Sequence, residues 1–170
     1  MLNRYLAGAA IFLSLSVAAL CEERVVDKDH GFSIKPDDGW KQVATPGNMP
    51  YCAMKLQRDT RTKLYIDLFD QERPGETLDE YVQGMKNFIV KEMNGEVISE
   101  SPATVSGLPA RKLMYSGKSK GFTDIDNKYF RVIVQVPSGK FYIVHGVVDL
   151  DGHHLSEIEN MAETFQLGNP

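Results

Sequence analysis

Two runs rich in Val, Ile, Phe and Tyr, residues 128–136 and 141–148, flank the tetrapeptide Pro137-Ser138-Gly139-Lys140. Pro137 presets φ for a turn and Gly139 accepts a positive φ, so the tetrapeptide closes a β-hairpin. Aromatic and β-branched residues of this kind favour strands. A loop of two or four residues sets Val136 opposite Phe141 and Val134 opposite Ile143. Opposed residues share a face, and side chains alternate along each strand. One face then carries Phe130, Val132, Val134, Val136, Phe141, Ile143, His145 and Val147. The other carries Tyr129, Arg131, Ile133, Gln135, Tyr142, Val144, Gly146 and Val148. The first is a core face with His145 among its residues, and the second is too apolar for open water. A sheet covered on both sides calls for helices or loops on both.

The N-terminus reads as a secretory signal peptide over residues 1–21, leaving a single domain over residues 22–170. Arg4 supplies the positive start, Tyr5 to Leu20 carry no charge, and Glu22-Glu23 end the run. The run falls short of the roughly 20 apolar residues that span a bilayer, so no stable membrane insertion is expected after cleavage. Cleavage after Cys21 or after Ala19 both satisfy the small-residue rule, and Leu20 before Cys21 makes a poor lipidation signal. The whole chain has a net charge of −4. Loss of Arg4 with the leader leaves 18 basic against 23 acidic residues, a net of −5. That balance argues against nucleic acid as a partner, which needs a concentrated basic surface.

Further down the chain, Phe32, Ile34 and Trp40 read as core. Residues 51–58 and 63–70 form a second hairpin, with Cys52 on one face with Met54 and Leu56 as a buried thiol. Residues 77–94 make the clearest helix. Thr77 and Glu80 form a capping box, and Leu78, Tyr81, Val82, Met85, Phe88, Ile89 and Met93 recur at helical spacing. Gly84 inside that helix costs about 1 kcal/mol relative to Ala and marks close packing. Strands over residues 97–105 and 107–116 follow, then a polar loop over 117–127, the hairpin, and a second helix over about 153–165. The fold class is α+β: a three-layer α/β/α sandwich around a mainly antiparallel central sheet.

Four segments carry a resemblance: Phe32-Ser-Ile-x-Pro-x-x-Gly-Trp40, Glu76-Thr-Leu-Asp-Glu80, Val105-Ser-Gly-Leu-Pro-Ala-Arg111, and Phe165 after a short helix. Together they resemble the PsbP-like superfamily over residues 25–168. That group includes the extrinsic photosystem subunit, small bacterial envelope proteins of unknown function, and a Ran-binding nuclear import factor. The envelope proteins are the nearest match. The resemblance implies the same α/β/α sandwich, a role in binding or stabilising other proteins, and no shared catalytic residues.

The motifs point the same way. Gly117-Lys118-Ser119 lacks the Gly that a phosphate loop needs at position 112, where Lys112 stands. The Asp/His stretch after the hairpin fails as a calcium loop, because Val147 and Ile158 would occupy its first and last ligand positions. Asp149, Asp151, His153 and His154 remain candidate ligands for a transition metal, against the plainer reading of a loop that opens a helix. Phe122 and Ile125, apolar residues in a polar loop, are candidate partner contacts, with Met49 and Tyr51 beside another loop. The expectation is a secreted or periplasmic, non-enzymatic module that needs no cofactor and binds another envelope or extracellular protein. Two other classes stay open: a periplasmic small-ligand or transition-metal binder, and a hydrolase with an unrecognised site.

Overall fold

The computed structural model describes residues 23–69, 75–118, 126–149 and 151–168. The expected signal peptide, Phe122 and Ile125 lie outside them. Among the described residues, ten strands and two helices follow in the order β1 (Val25–Asp27), β2 (Phe32–Ile34), β3 (Lys41–Val43), β4 (Cys52–Gln57), β5 (Lys63–Phe69), α1 (Leu78–Glu92), β6 (Glu96–Val105), β7 (Leu108–Lys118), β8 (Asp126–Gln135), β9 (Phe141–Asp149), α2 (Leu155–Glu163) and β10 (Gln166–Leu167). Seven strands form one antiparallel sheet in the order β3-β4-β5-β9-β8-β7-β6. A small sheet, β1-β2-β10, stands apart. The α+β class and the antiparallel central sheet match the sequence reading.

The register of the β8–β9 hairpin does not. Gln135 faces Phe141, Ile133 faces Ile143, and Arg131 faces His145. The cause is local to the turn. The Gly139 N–H donates to the Val136 carbonyl at 2.8 Å, and the Val136 N–H donates to the Lys140 carbonyl at 2.9 Å. With Gly139 at φ 91°, this is a three-residue loop closed by a glycine bulge. An odd loop slips the pairing by one residue, and a slip of one exchanges the faces of one strand. Tyr129, Arg131 and Ile133 therefore join His145 and Ile143, while Phe130, Val132 and Val134 join Val144 and Val148.

Each face meets a different helix. Val82 of α1 packs with Ile133, Phe141 and Ile143, and Ile89 packs with Leu113, Tyr115 and Tyr129. Ile158, Met161 and Ala162 of α2 share the main core with Phe130, Val132, Val134 and Val144. The small sheet adds Phe32 and Ile34 to that second cluster, and Trp40 closes it. The approach of α2 is close: a Cβ on Gly146 would overlap Ile158. The capping box of α1 forms as expected, with the Glu80 N–H donating to Thr77 Oγ1 and the Thr77 N–H to Glu80 Oε2. Gly84 is a correction, since an added Cβ there meets nothing within 4 Å.

Candidate functional site: a polar cleft beneath the first helix

Strands β4 and β5 extend the central sheet beyond β9. On the α1 side, Tyr65 of β5, His145 of β9 and Arg131 of β8 stand in one row across the sheet. Asp67 stands one step along β5, opposite Ile143. A register shift between Cys52 and Met54 also brings Cys52 opposite Asp67. This corrects the expected face of Cys52: the bulge turns it away from Met54 and Leu56, though it stays buried.

These groups sit close together, with Asp67 and His145 buried and Tyr65 and Arg131 half-buried. His145 Nδ1 lies 3.2 Å from Asp67 Oδ2, off the line of a hydrogen bond. The His145 ring packs against Tyr65 with centroids 4.9 Å apart. Burial comes first in holding the His145 pKa below its ordinary value; Arg131 adds to this and Asp67 opposes it. Burial, then the Asp67 charge, pushes the Cys52 thiol up to about 12. Burial likewise raises the Tyr65 phenol. The Arg131 guanidinium lies over the Tyr115 ring at 5.4 Å, and its Nη1 donates to the Met85 sulfur at 2.9 Å. Asp67 Oδ1 and Arg131 Nε are buried and find no hydrogen-bond partner among the described residues. Buried polar atoms are normally paired, so two orphans of opposite sign mark the place.

Beside them, between α1 and β5, lies a half-open cleft of about 670 Å³. Asp67 and Arg131 line it together with Phe69, Tyr81, Met85 and Phe88. Gly84 also faces this space. Tyr51, 57% exposed, lays its ring 4.7 Å from that of Phe69 at the rim. Met49 is half-buried in the turn that leads into β4.

The Asp/His stretch after β9 is engaged elsewhere. Asp149 ends β9, and Asp151 and His153 are exposed. His154 is the N-cap of α2, with its Nδ1 3.0 Å from Glu157 Oε1. The other Glu157 oxygen accepts from Trp40 Nε1 at 2.9 Å and Arg58 Nη1 at 2.6 Å. Among the described residues no three His, Cys, Asp or Glu side chains gather as metal ligands, and no helix is long and apolar enough to cross a membrane. Sequence reasoning passed over Asp67 and Arg131. Their signal is a lone charge between large apolar residues two positions away: Tyr65 and Phe69 around Asp67, Tyr129 and Ile133 around Arg131.

By sequence, the chain matches no protein family and no curated protein. Solved structures do resemble it. LpqN of Mycobacterium tuberculosis, described as involved in cell envelope biogenesis, superposes with a TM-score of 0.63 at 13% identity, over 86% of this chain and 90% of that one. The cyanobacterial PsbP of Synechocystis, CyanoP, gives 0.58 at 15% identity over 85% and 91%. The Ran-binding protein Mog1p of Saccharomyces cerevisiae gives 0.58 at 9% identity over 86% and 95%.

Proposed function

We propose, starting from the PsbP-like fold that this chain has, that it is a non-enzymatic accessory module, exported to the periplasm or secreted, that binds another envelope or extracellular protein. The two faces packed on α1 and α2 are read here as the inner surfaces of a three-layer sandwich. The observation that carries the binding role is the exposed aromatic step of Tyr51 on Phe69. A large aromatic left in water beside a cleft is the kind of anchor that interfaces use. The envelope role described for LpqN and the Ran binding described for Mog1p are in keeping with it. The layout of residues 1–21 supports export. In keeping with the non-enzymatic reading, the Cys52 thiol holds its proton at neutral pH and His145 is buried.

The test is capture of partners from the native envelope by the chain starting at Glu22. Tyr51→Ala should lose the captured protein, while Val26→Ala, exposed on the small sheet, should keep it. Equal capture by both would remove the rim from the interface. Cell fractionation with N-terminal sequencing tests export.

A further inference from the structure

α1 packs over β7, β8 and β9, and the same face of the sheet continues onto β5, β4 and β3. Register fixes what that continuation carries. Lys55 faces Tyr65, Gln57 faces Lys63, and Lys41 faces Gln57. Met54, Leu56, Leu64 and Ile66 alternate with them and are buried in the core toward α2, so these five side chains stand on the α1 side. Lys41 is exposed, and Lys55, Gln57, Lys63 and Tyr65 are half-buried. The Lys55 ammonium lies 5.9 Å from the centre of the Tyr65 ring. Among the described residues none of these three lysines is in an ion pair, whereas Lys86, Lys112, Arg58 and Arg111 each hold a carboxylate. The three strands carry one carboxylate, Asp67, and it is buried beside His145. The turn between β4 and β5 carries one charge of each sign, Asp59 and Arg61. Like charges on neighbouring strands repel, so a chain rich in acids here leaves three cations together and unanswered.

We propose that this face receives an acidic, extended segment of the partner protein. It rests on the protein-binding role proposed above and names the partner's chemistry. Tyr51 stands four residues before Lys55, about 13 Å along the chain, so the aromatic anchor and the lysines form one contact. The spacing suits an extended segment. Same-face positions along a strand lie about 7 Å apart, and strands two apart, such as β3 and β5, lie about 10 Å apart. A segment with an acid at every second residue repeats its carboxylates about every 7 Å, within reach of flexible lysines. Their stems stay on the sheet while each ammonium gains a charge-assisted hydrogen bond. The acidic lining of the cleft is set apart from this contact. Glu76 and Glu80 lie at the Phe69 end of β5, and Lys63 is at the other end, about 20 Å away and beyond a screening length of about 8 Å. The rest of the molecule selects the class of partner. The other 15 basic residues of the chain after residue 21 face 23 acidic ones, a net of −8. An anionic membrane or a nucleic acid extends past the patch and meets that excess, whereas a short acidic segment meets only the lysines.

Fluorescence anisotropy on the chain starting at Glu22 tests it, with a labelled peptide of four Glu-Thr repeats as the probe. Saturable binding is expected at about 50 mM salt, weakening at least about fivefold by about 300 mM, and the matching Lys-Thr peptide should not bind. Lys41→Gln/Lys55→Gln/Lys63→Gln should weaken the acidic peptide at least about tenfold, with a melting curve to verify folding. Lys28→Gln/Lys91→Gln/Lys128→Gln removes the same charge elsewhere on the surface and should stay within about threefold of the unaltered chain. No saturable binding overturns the proposal, and so does equal loss in the two triple variants. Binding of phosphatidylglycerol vesicles or single-stranded DNA that the first triple variant abolishes would give the face to a membrane or a nucleic acid instead. If Tyr51→Ala abolishes partner capture while the first triple variant keeps it at every salt concentration, the protein-binding role stands and this proposal alone falls.

Discussion

His145 holds its imidazole among Tyr65, Arg131 and Asp67, where burial disfavours the charged form more than Asp67 favours it. An unfolded histidine takes its proton near pH 6.5, and the folded one takes it only at lower pH. Between those values the unfolded chain binds more protons, so stability falls as pH falls. The contribution is complete above about pH 6.5 and is lost as pH drops toward the folded pKa. Urea midpoints measured from about pH 7.5 to pH 5.5 should therefore decline, and His145→Gln should flatten that decline. Parallel declines would assign the effect to other groups. That His145 is buried was legible from its strand of apolar neighbours. Its company was not. A charge such as Arg131 or Asp67 at every second position looks the same whether that face meets water or a helix, and only the register decides between them.

At the scale of elements, one glycine fixes how the hairpin lies and another fixes how a helix meets it. The hairpin, the capped helix and most strands were readable from turn residues, capping residues and periodicity. The glycine bulge at Gly139 was not, because Pro-Ser-Gly-Lys closes loops of even or odd length and the difference lies in backbone angles. The bulge at Cys52 escaped for the same reason. Gly146 and Gly84 make a paired prediction. Gly146→Ala drives a methyl into Ile158 and should cost about 1–3 kcal/mol. Gly84→Ala meets open space within a regular helix and should stabilise by about 0.5–1 kcal/mol. Denaturant unfolding of both variants checks the pair. Destabilisation by both would place α1 closer to the sheet than described.

At the scale of the molecule, Glu157 ties together parts far apart in sequence. Partial burial pushes its carboxyl up, but hydrogen bonds from Trp40 and His154 and the Arg58 charge outweigh this and hold it below the usual carboxylate range. Glu157→Ala should cost about 1–2 kcal/mol, with a change in Trp40 fluorescence, because the indole N–H and the guanidinium both lose their acceptor. A loss within a few tenths of a kcal/mol would mean that water replaces the carboxylate. The same joining of distant segments occurs in the small sheet, where β1 and β10 flank β2 on either side. Arg24, just before β1, donates to the Thr164 carbonyl just before β10. Neighbours on either side of one strand lie about 10 Å apart. Because β1 and β10 run parallel, residue 168 also lies about five residues along β2 from residue 23, so a linker of about eight glycines would join them, with new ends opened in the Pro137–Lys140 turn, giving a circularly permuted chain that keeps the native secondary-structure spectrum and cooperative unfolding. If the permutant refolds at the native rate, docking the small sheet is not the slow step.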